Sequence, residues 1–332
     1  SIVTDEDVRK KGFKEIGDIV RYTPGINTSL GEGHRDAVVF RGVRSTADFY
    51  QDTIVGPDLV QRLQPYEILC LMRERTPIDV TLLAKLPNLK AIITSGMRNA
   101  AIDVDAAKAR GIVVCGTGSP GHATAELAFI LIGMLARQIL PAACSMRDGG
   151  WQTHLGRDLR GARLGILGLG RLGAELAGYA KAFGMTVQAW SQNLTSERCD
   201  EVGVQYVDRE SLFRSSDFIS IHLKLSDRVR HIVGATELAM MKPNAYLVNT
   251  SRAPIIDMSA LTIALHAKQI GGAAIDVYDL EPVPFDDSIR QTPNLLMTPH
   301  IGYVTRETMD IFYRETLEAV EAIIAGNPIR TL

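Results

Sequence analysis

The segment LGILGLGRLGAELA, residues 164–177, decides the fold. Its first residues are apolar and fit a buried strand, and its last residues are small and fit a closely packed helix. Between them stand Gly168, Gly170 and Gly173, in the GxGxxG pattern that indicates a dinucleotide site when a strand precedes it and a helix follows. Gly168 permits the tight turn, Gly170 lets a pyrophosphate approach the backbone, and Gly173 lets the helix pack on the strand.

The start of this helix and the end of the next strand are the predicted contacts of the dinucleotide. The N–H groups at a helix N-terminus, here at Arg171 and Leu172, attract phosphate. The strand after the helix ends in Ser191, Gln192 and Asn193, where an acid would select NAD and an adjacent arginine would select NADP. Because neither is present, the sequence slightly favours NAD and leaves NADP possible.

Strand-length apolar runs alternate with helical segments on both sides of this motif, which is typical of a parallel sheet covered on both faces. From residue 119 to residue 300 the pattern predicts one doubly wound unit, and a shorter series precedes it. The six predicted strands of the larger unit are 163–167, 186–190, 218–222, 246–249, 272–277 and 295–297.

Two long segments lie outside these alternating series. Residues 121–140 are very apolar and predict one continuous buried helix, and residues 307–325 predict a last helix that packs back on the first series. The fold class is therefore α/β with two doubly wound parallel sheets. The first series comprises the strand-length runs 66–72, 89–94 and 112–115 and the helical segments 79–86 and 103–110.

Length and charge exclude several classes of protein. The 332 residues correspond to about two domains, and 38 acidic against 36 basic side chains leave a net charge of -2, which argues against a nucleic-acid partner. The longest apolar run, residues 127–136, is shorter than the ~20 residues of a transmembrane helix, and no cationic leader is visible. The four cysteines have no metal-ligand spacing. We therefore expect a cytoplasmic protein with no metal and no membrane partner.

Arg252, Glu281 and His300 follow the last three predicted strands in that order. Ligands of an open α/β sheet bind at the carboxyl ends of its strands. An arginine can form two parallel hydrogen bonds to a carboxylate, and a histidine can pass a proton to a carbonyl oxygen as hydride reaches the carbon. A nearby carboxylate favours the charged imidazolium. These three residues provide the carboxylate binding and the proton transfer that reduction of a 2-oxo acid requires. A further histidine, His222, ends another strand and is interpreted as structural.

Five longer motifs make the sequence similar to a known family. From about residue 53 onward the chain resembles the D-isomer-specific 2-hydroxyacid dehydrogenases, which include phosphoglycerate, glycerate and D-lactate dehydrogenases. The resemblance implies a Rossmann domain over residues 119–300 and a smaller, flavodoxin-like substrate domain built from residues 53–118 and 301–332. The motifs are PGHATAE at 120–126, GRDLRGARLGILGLGRLG at 156–173, MKPNAYLVNTSR at 241–252, GGAAIDVYDLEP at 271–282 and TPHIG at 298–302.

The resemblance also implies the roles of individual residues in an NAD(P)-dependent oxidoreductase that acts on CH–OH groups. Arg252 would orient the substrate, Glu281 would be the partner carboxylate, and His300 would be the acid/base. Asp276 would lie near the nicotinamide amide, and Thr250 would contact the cofactor.

The family also uses its first domain to hold the substrate. By resemblance, the backbone amides of Gly96 and Met97 would bind the substrate carboxylate, and Arg73 and Arg98 would be candidate specificity residues. The family usually has a glycine where Arg98 stands, so a bulkier and more cationic pocket is implied. Members of the family are homodimers joined through the dinucleotide domain, and the same assembly is expected here by resemblance.

Residues 1–52 resemble a different protein, the plug of a TonB-dependent siderophore receptor. The resemblance is carried by DIVRYTPGI at 18–26 and FRGVRSTADFYQD at 40–52. Nothing in the rest of the chain matches such a receptor, so we interpret the segment as fused or recombined. It would replace the first β-α-β unit of the substrate domain, and a short strand at Ala37–Phe40 would partly fill the resulting gap in the sheet.

Three functions remain open from the sequence. The first is an oxidoreductase that interconverts a 2-oxo acid and a D-2-hydroxy acid, without an indication of which acid. The second is an NAD(H)-sensing binding protein or corepressor, which would bind the dinucleotide without turnover. The third is a receptor fragment that binds a ferric chelate through residues 1–52, or a fusion whose catalysis is impaired by that segment.

Overall fold

The computed structural model describes residues 26–29, 37–40, 43–45, 57–74 and 76–332. Most of the plug-like segment therefore lies outside the described residues, and its resemblance to a receptor plug stays a prediction. Only three short strands represent that segment in the structure.

The described residues form two compact units. The first unit consists of the described residues up to Ser119 together with Arg306–Leu332, and the second consists of Pro120–Thr305. Each unit is built around one sheet. In chain order, the strands of the described residues are β1 (Ile26–Ser29), β2 (Ala37–Phe40), β3 (Val43–Ser45), β4 (Ile68–Leu71), β5 (Ala91–Thr94), β6 (Val113–Gly116), β7 (Arg163–Leu167), β8 (Thr186–Trp190), β9 (Gln205–Tyr206), β10 (Phe218–Ile221), β11 (Tyr246–Asn249), β12 (Gly272–Ile275) and β13 (Leu295–Met297).

Helices connect most of these strands. Several begin where a side-chain oxygen caps the first turn, as at Asp79, which accepts from the backbone N–H of Leu82, and at Asp103, which accepts from that of Ala106. Within the described residues, the α-helices are α1 (Pro57–Leu63), α2 (Val80–Ala84), α3 (Val104–Ala109), α4 (His122–Ala136), α5 (Ile139–Arg147), α6 (Arg171–Ala182), α7 (Ser196–Val202), α8 (Arg209–Ser215), α9 (Ala235–Met240), α10 (Met258–His266) and α11 (Arg306–Ile324).

The second unit contains a parallel sheet in the order β13-β12-β11-β10-β7-β8-β9. All four residues of β10 are buried, because helices cover both faces of a parallel sheet. The chain winds outward in both directions from β7, so the switch in strand order lies at its carboxyl end, next to the glycine turn. The prediction of six strands is wrong by one, because the two-residue edge strand β9 is too short to show an apolar pattern.

The predicted continuous helix at residues 121–140 is wrong. Helix α4 ends at Ala136, Gln138 adopts a left-handed backbone with φ 52°, and α5 starts a new direction. Pro141 explains the break, because its ring would clash with the carbonyl of Arg137 in a continuous helix. Among the described residues, no single helix combines the length and apolarity that crossing a bilayer requires; only the pair α4 and α5, bent by 59°, meets those two criteria together.

The first unit contains a mixed sheet in the order β1-β2-β3-β4-β5-β6. From β3 to β6 the strands pair in parallel, whereas β1, β2 and β3 pair with one another in antiparallel fashion. The predicted strand Ala37–Phe40 is confirmed as β2, but the strand that pairs with β4 is β3, which the sequence did not predict. A run of three residues such as Val43–Ser45 carries no periodicity that would identify a strand.

The last helix packs on the sheet of the first unit, as predicted. Ala319 and Val320 of α11 are buried together with Ile93 of β5 and Cys115 of β6. After α11 the chain returns to the same sheet, where Thr331 forms a bridge with Cys115 and the N–H of Leu332 donates to the carbonyl of Val114. The C-terminal residues therefore pair with strand β6.

Candidate active site

The carboxyl ends of β11, β12 and β13 carry the predicted catalytic residues of the second unit. These three strands are neighbours in the sheet and run parallel. Arg252 lies three residues after the end of β11, Asp276 directly follows β12, and His300 lies three residues after the end of β13. The topology therefore places all three residues at one edge of one sheet.

His300 and Glu281 form a direct pair. The Nδ1 atom of His300 lies 2.6 Å from Oε2 of Glu281, and the two side chains are 23% and 33% exposed. The other carboxylate oxygen, Oε1, accepts from the backbone N–H of Tyr278 at 2.9 Å. Because Nδ1 is committed to the carboxylate, the imidazole is oriented and its Nε2 is the atom that can exchange a proton with a substrate.

Asp276 holds the loop that carries His300. Its Oδ1 accepts from the hydroxyl of Thr298 at 2.6 Å and from the N–H of Ile301 at 2.8 Å, and its Oδ2 accepts from the N–H of Gly302 at 2.8 Å. The carboxylate is 1% exposed. Burial raises the pKa of Asp276, and the three hydrogen bonds and the nearby His300 act in the opposite direction. These contacts fix the backbone on both sides of His300, which itself has φ 54°.

Arg252 lies on a loop that is fixed by its own hydrogen bonds. The side-chain amide of Asn249 donates to the carbonyl of Arg252 at 3.0 Å and its oxygen accepts from the N–H of Ser251 at 3.0 Å. The guanidinium donates through Nη1 to the carbonyl of Ser251 at 2.8 Å. The structure thus joins His300 to Glu281 by a hydrogen bond and places Arg252 at the end of the next strand but one.

The glycine turn has the geometry that its sequence predicts. Gly168 has φ 100°, and a Cβ there would lie 2.7 Å from the carbonyl oxygen of His222. A Cβ on Gly173 would collide with the carbonyl oxygen of Gly168, so only glycine lets α6 approach β7 this closely. A Cβ on Gly170 would meet none of the described atoms within 4 Å. Gly170 therefore leaves open space at the start of the helix.

The residues around this open space fit a dinucleotide. Gly170 caps α6 without a side chain, so the first N–H groups of a twelve-residue helix point into the space. Thr250 is 6% exposed, and within the described residues its hydroxyl oxygen has no hydrogen-bond partner. A buried unpaired hydroxyl next to a catalytic loop fits a ligand that completes its hydrogen bonds. The chain therefore presents an anion site at the start of α6 and, after β11 at the same edge of the sheet, a buried polar group that lacks a partner within the described residues.

The remaining predicted cofactor residues lie around the same turn. Leu172 is half-buried at the start of α6, while Arg171 is exposed and donates to the carbonyl of Pro120 at 3.3 Å. Gln192 donates to the carbonyl of Arg228 at 3.1 Å. Ser191 is half-buried and Asn193 is exposed in the loop after β8.

In the first unit, two predicted substrate loops lie against each other at the carboxyl ends of β4 and β5. A Cβ on Gly96 would lie 2.6 Å from Nη1 of Arg73, so the guanidinium covers the glycine. The N–H of Gly96 donates to the hydroxyl of Thr117 at 2.8 Å. This N–H group is the predicted donor to a substrate carboxylate. Met97 and Arg98 are exposed. The structure thus joins Arg73 to Gly96 and leaves the cation of Arg98 facing solvent.

The sequence did not point to two residues that support the pair of His300 and Glu281. The N–H of Tyr278 fixes Glu281, and the hydroxyl of Tyr278 donates to the carbonyl of Thr298 at 2.9 Å. The hydroxyl of Thr298 in turn binds Asp276. Both residues stood within the quoted motifs, but no spacing rule links positions 20 apart that meet only because β12 and β13 are neighbours.

Comparisons with known proteins identify the family of the chain. Residues 129–302 match the model of the family described as D-isomer specific 2-hydroxyacid dehydrogenase, NAD binding domain. The chain is 40% identical over 245 residues to a glyoxylate reductase of Thermococcus litoralis, a match that covers 70% of this chain and 73% of that protein.

Solved structures show the same fold. A phosphoglycerate oxidoreductase from Vibrio cholerae is 36% identical, with a TM-score of 0.78 and coverage of 83% of this chain and 90% of that chain. A D-lactate dehydrogenase from Aquifex aeolicus, in complex with NAD and lactic acid, is 26% identical, with a TM-score of 0.70 and coverage of 81% and 86%. The chain therefore belongs to the D-isomer specific 2-hydroxyacid dehydrogenase family and is an NAD(P)-dependent oxidoreductase of 2-oxo and 2-hydroxy acids.

Proposed function

We propose that this chain reduces a small 2-oxo acid to the D-2-hydroxy acid with His300 as the acid/base. The observation that carries the proposal is the 2.6 Å contact between Nδ1 of His300 and Oε2 of Glu281. This contact fixes the orientation of the ring through Nδ1 and leaves Nε2 as the nitrogen that exchanges a proton with the substrate. Proton transfer from Nε2 to the carbonyl oxygen then completes the alcohol, and the reverse transfer serves oxidation.

The other residues at the strand ends bind and orient the reactants. The nicotinamide dinucleotide, when bound, supplies or accepts the hydride. Arg252 binds the substrate carboxylate through parallel hydrogen bonds, which fixes the carbonyl carbon in one orientation. Thr250 and the start of α6 hold the dinucleotide, and Asp276 keeps the loop of His300 in place.

The first unit supplies substrate recognition in this proposal. Arg73 is supported as a specificity residue by its half-buried guanidinium at the end of β4, directly against Gly96. The exposed Arg98 adds a cation where the family usually has a glycine, which favours a substrate with a second polar or anionic group. Gly96 gives room to Arg73, which a side chain at this position would displace. Because the N–H of Gly96 donates to Thr117, the backbone amide of Met97 is the proposed donor to the substrate carboxylate in this loop.

A panel of 2-oxo acids tests the proposal. Glyoxylate, hydroxypyruvate, pyruvate, phosphohydroxypyruvate and phenylpyruvate are each assayed with NADH and with NADPH, and the chirality of the product is determined. We expect turnover of at least one acid and a D-configured product wherever the product is chiral. An L-configured product would contradict the assignment of the site.

The same assay separates the enzyme from a sensor. Binding of NADH or NADPH is measured by fluorescence titration on the same preparation. Tight binding without turnover of any acid would identify the chain as an NAD(H)-sensing protein or an impaired fusion rather than an enzyme. Cytoplasmic location and the plug-like character of residues 1–52 stay predictions.

We also propose that the chain forms a homodimer through α5. This helix has no buried residue within its unit, and it presents Ile139, Leu140 and Met146 to solvent. Trp151, 73% exposed, and Leu155 follow in the next loop. A short helix without a buried face gains little stability alone, and a self-complementary apolar patch is typical of a two-fold interface. Leu140→Asp is expected to convert a dimer to a monomer in sedimentation analysis, whereas Ile263→Asp, at an exposed position on α10, is not.

A further inference from the structure

Residues at the carboxyl end of β8 determine whether a site of this fold binds NAD or NADP. The sequence alone left the preference between the two cofactors open. The first acid after Trp190 is Glu197, within α7, so no carboxylate stands in the loop at residues 191–193. An acid in this loop would bind the ribose 2′-hydroxyl and repel a 2′-phosphate. The loop instead offers the neutral donors of a serine, a glutamine and an asparagine.

The structure brings an arginine to this strand end from a distant part of the sequence. The guanidinium carbon of Arg209 lies 5.9 Å from the ring centroid of Trp190, the last residue of β8. The carbonyl of Trp190 accepts from the N–H of Gly168 at 2.9 Å, so the same residue contacts the glycine turn. Arg209 is placed there because β9 pairs with β8, with Tyr206 beside Ala189. The cation, the strand end and the phosphate turn are therefore contiguous.

Arg209 retains donors for a further anion. Its Nη2 lies 3.5 Å from Oε1 of Glu237, whose other oxygen accepts from the N–H of Gly234 at 3.1 Å. This ion pair uses one of the five N–H donors of a guanidinium and offsets part of its charge. Arg209 is exposed, and stacking on the indole holds the guanidinium in place. A planar guanidinium that is already positioned suits bidentate binding of a phosphate.

The backbone of a second arginine contacts the same loop. The side chain of Gln192 donates to the carbonyl of Arg228 at 3.1 Å, which brings the backbone of this exposed residue against the loop. We infer that the chain prefers NADP(H) to NAD(H), and that Arg209 is the residue that recognises the 2′-phosphate. The inference rests on the dinucleotide site proposed above and names the cofactor form that this site selects.

The test measures binding rather than turnover. Dissociation constants are determined for NADPH and NADH by fluorescence titration, and for adenosine 2′,5′-bisphosphate and AMP by calorimetry. We expect NADPH to bind at least fivefold more tightly than NADH to the unaltered chain. Arg209→Ala should weaken NADPH binding by about tenfold or more and change NADH binding by less than twofold, since a charge-assisted contact is lost only with the phosphate.

Three further variants keep the result interpretable. Arg214→Ala removes an exposed arginine of the same helix, which pairs with Glu210 at 2.7 Å, and should change neither constant. Arg209→Gln keeps the length and much of the packing on Trp190, and it replaces the alanine variant if that variant unfolds at lower temperature. Ser191→Asp should reverse the preference in favour of NADH.

The possible outcomes are distinct. Equal affinity for the two dinucleotides, or an unchanged NADPH constant in both Arg209 variants, would overturn the inference and leave the proposed function intact. A loss of affinity for NADH as large as that for NADPH would show a general effect on the site and would also overturn it. If the unaltered chain binds neither dinucleotide, the proposed function itself fails.

Discussion

Two histidines of the second unit follow strands of the same sheet, and their rings have different hydrogen-bond partners. His222 directly follows β10, and its Nε2 lies 2.9 Å from the hydroxyl of Ser220. Burial lowers the pKa of His222 from 6.5 to about 4, so this ring is neutral near pH 7. His300 lies beyond β13, is partly exposed and faces the carboxylate of Glu281 at 2.6 Å.

The difference shows that position at a strand end does not make a histidine an acid/base. The two rings are both partly buried, so the contrast lies in their partners: a hydroxyl offers no charge to an imidazole ring, whereas a carboxylate does. The loop around each ring adds to this contrast. His222 lies against the glycine turn, where its carbonyl oxygen excludes a Cβ from Gly168, while the loop of His300 is held by the three hydrogen bonds of Asp276.

The largest expected effect comes from removal of the ring of His300. His300→Ala should lower kcat/KM by about 10²- to 10⁴-fold, because a general acid contributes that much to proton transfer. Dinucleotide affinity should stay within twofold, since the glycine turn is untouched. Steady-state kinetics and fluorescence titration measure the two quantities. The control is His266→Ala, at an exposed position in the last turn of α10, which should match the unaltered protein. Unchanged turnover in His300→Ala would refute the role of His300 as the acid/base.

The second largest effect is expected from Glu281, the carboxylate that contacts His300. Glu281→Gln keeps the size of the side chain and removes its charge, so the imidazolium loses a charge-assisted hydrogen bond. We expect kcat to fall by about 10- to 100-fold, with a smaller change in KM. Steady-state kinetics across a range of pH check this result. If Glu281→Gln is as active as the unaltered chain, the carboxylate only completes the hydrogen bonds of Tyr278 and does not assist catalysis.

How far the sequence predicts this site depends on the range of its contacts. The glycine turn was predictable residue by residue, because Gly168, Gly170 and Gly173 act within one strand, turn and helix. The carboxyl ends of the longer strands were predictable to within about two residues, because apolar runs stop near the end of the sheet. The contact between Trp190 and Arg209 was not, because it depends on the pairing of β8 with the two-residue strand β9.

In the sheet of the first unit, too, local features were predictable from the sequence and strand pairing was not. Strands β4, β5 and β6 follow from apolar runs that are buried in the structure. The antiparallel pairing of β1, β2 and β3 leaves no period in three or four residues, so neither their register nor their neighbours could be derived. The break between α4 and α5 could have been predicted from Pro141, whose missing N–H and bulky ring end the preceding helix.

A smaller effect is expected from substitution of Asp276, which tests whether this residue holds the loop of His300 or binds the nicotinamide amide. Asp276→Asn replaces an acceptor by an amide N–H, so at least one of the three hydrogen bonds to the loop of His300 is lost. We expect the free energy of unfolding to fall by about 1–3 kcal/mol and kcat to fall by about tenfold. Dinucleotide affinity should be unchanged if Asp276 acts through the loop, and weaker if it binds the nicotinamide amide. Asp279→Asn, at an exposed position nearby, is the control for stability and turnover.

The smallest effect on turnover is expected from His222. His222→Asn retains a hydrogen-bonding group beside Ser220 and should change kcat by less than twofold. Its effect lies in stability, because the pKa of His222 falls from 6.5 to about 4 on folding. Between these values the unfolded chain binds more protons, so the folded state loses stability as pH falls, by about 2 kcal/mol from pH 7.5 to pH 5. Urea unfolding at the two pH values should show this loss in the unaltered protein and a smaller loss in His222→Asn. An equal loss in both would mean that the ring is solvated, and the contrast between the two histidines would then rest on the Glu281 contact alone.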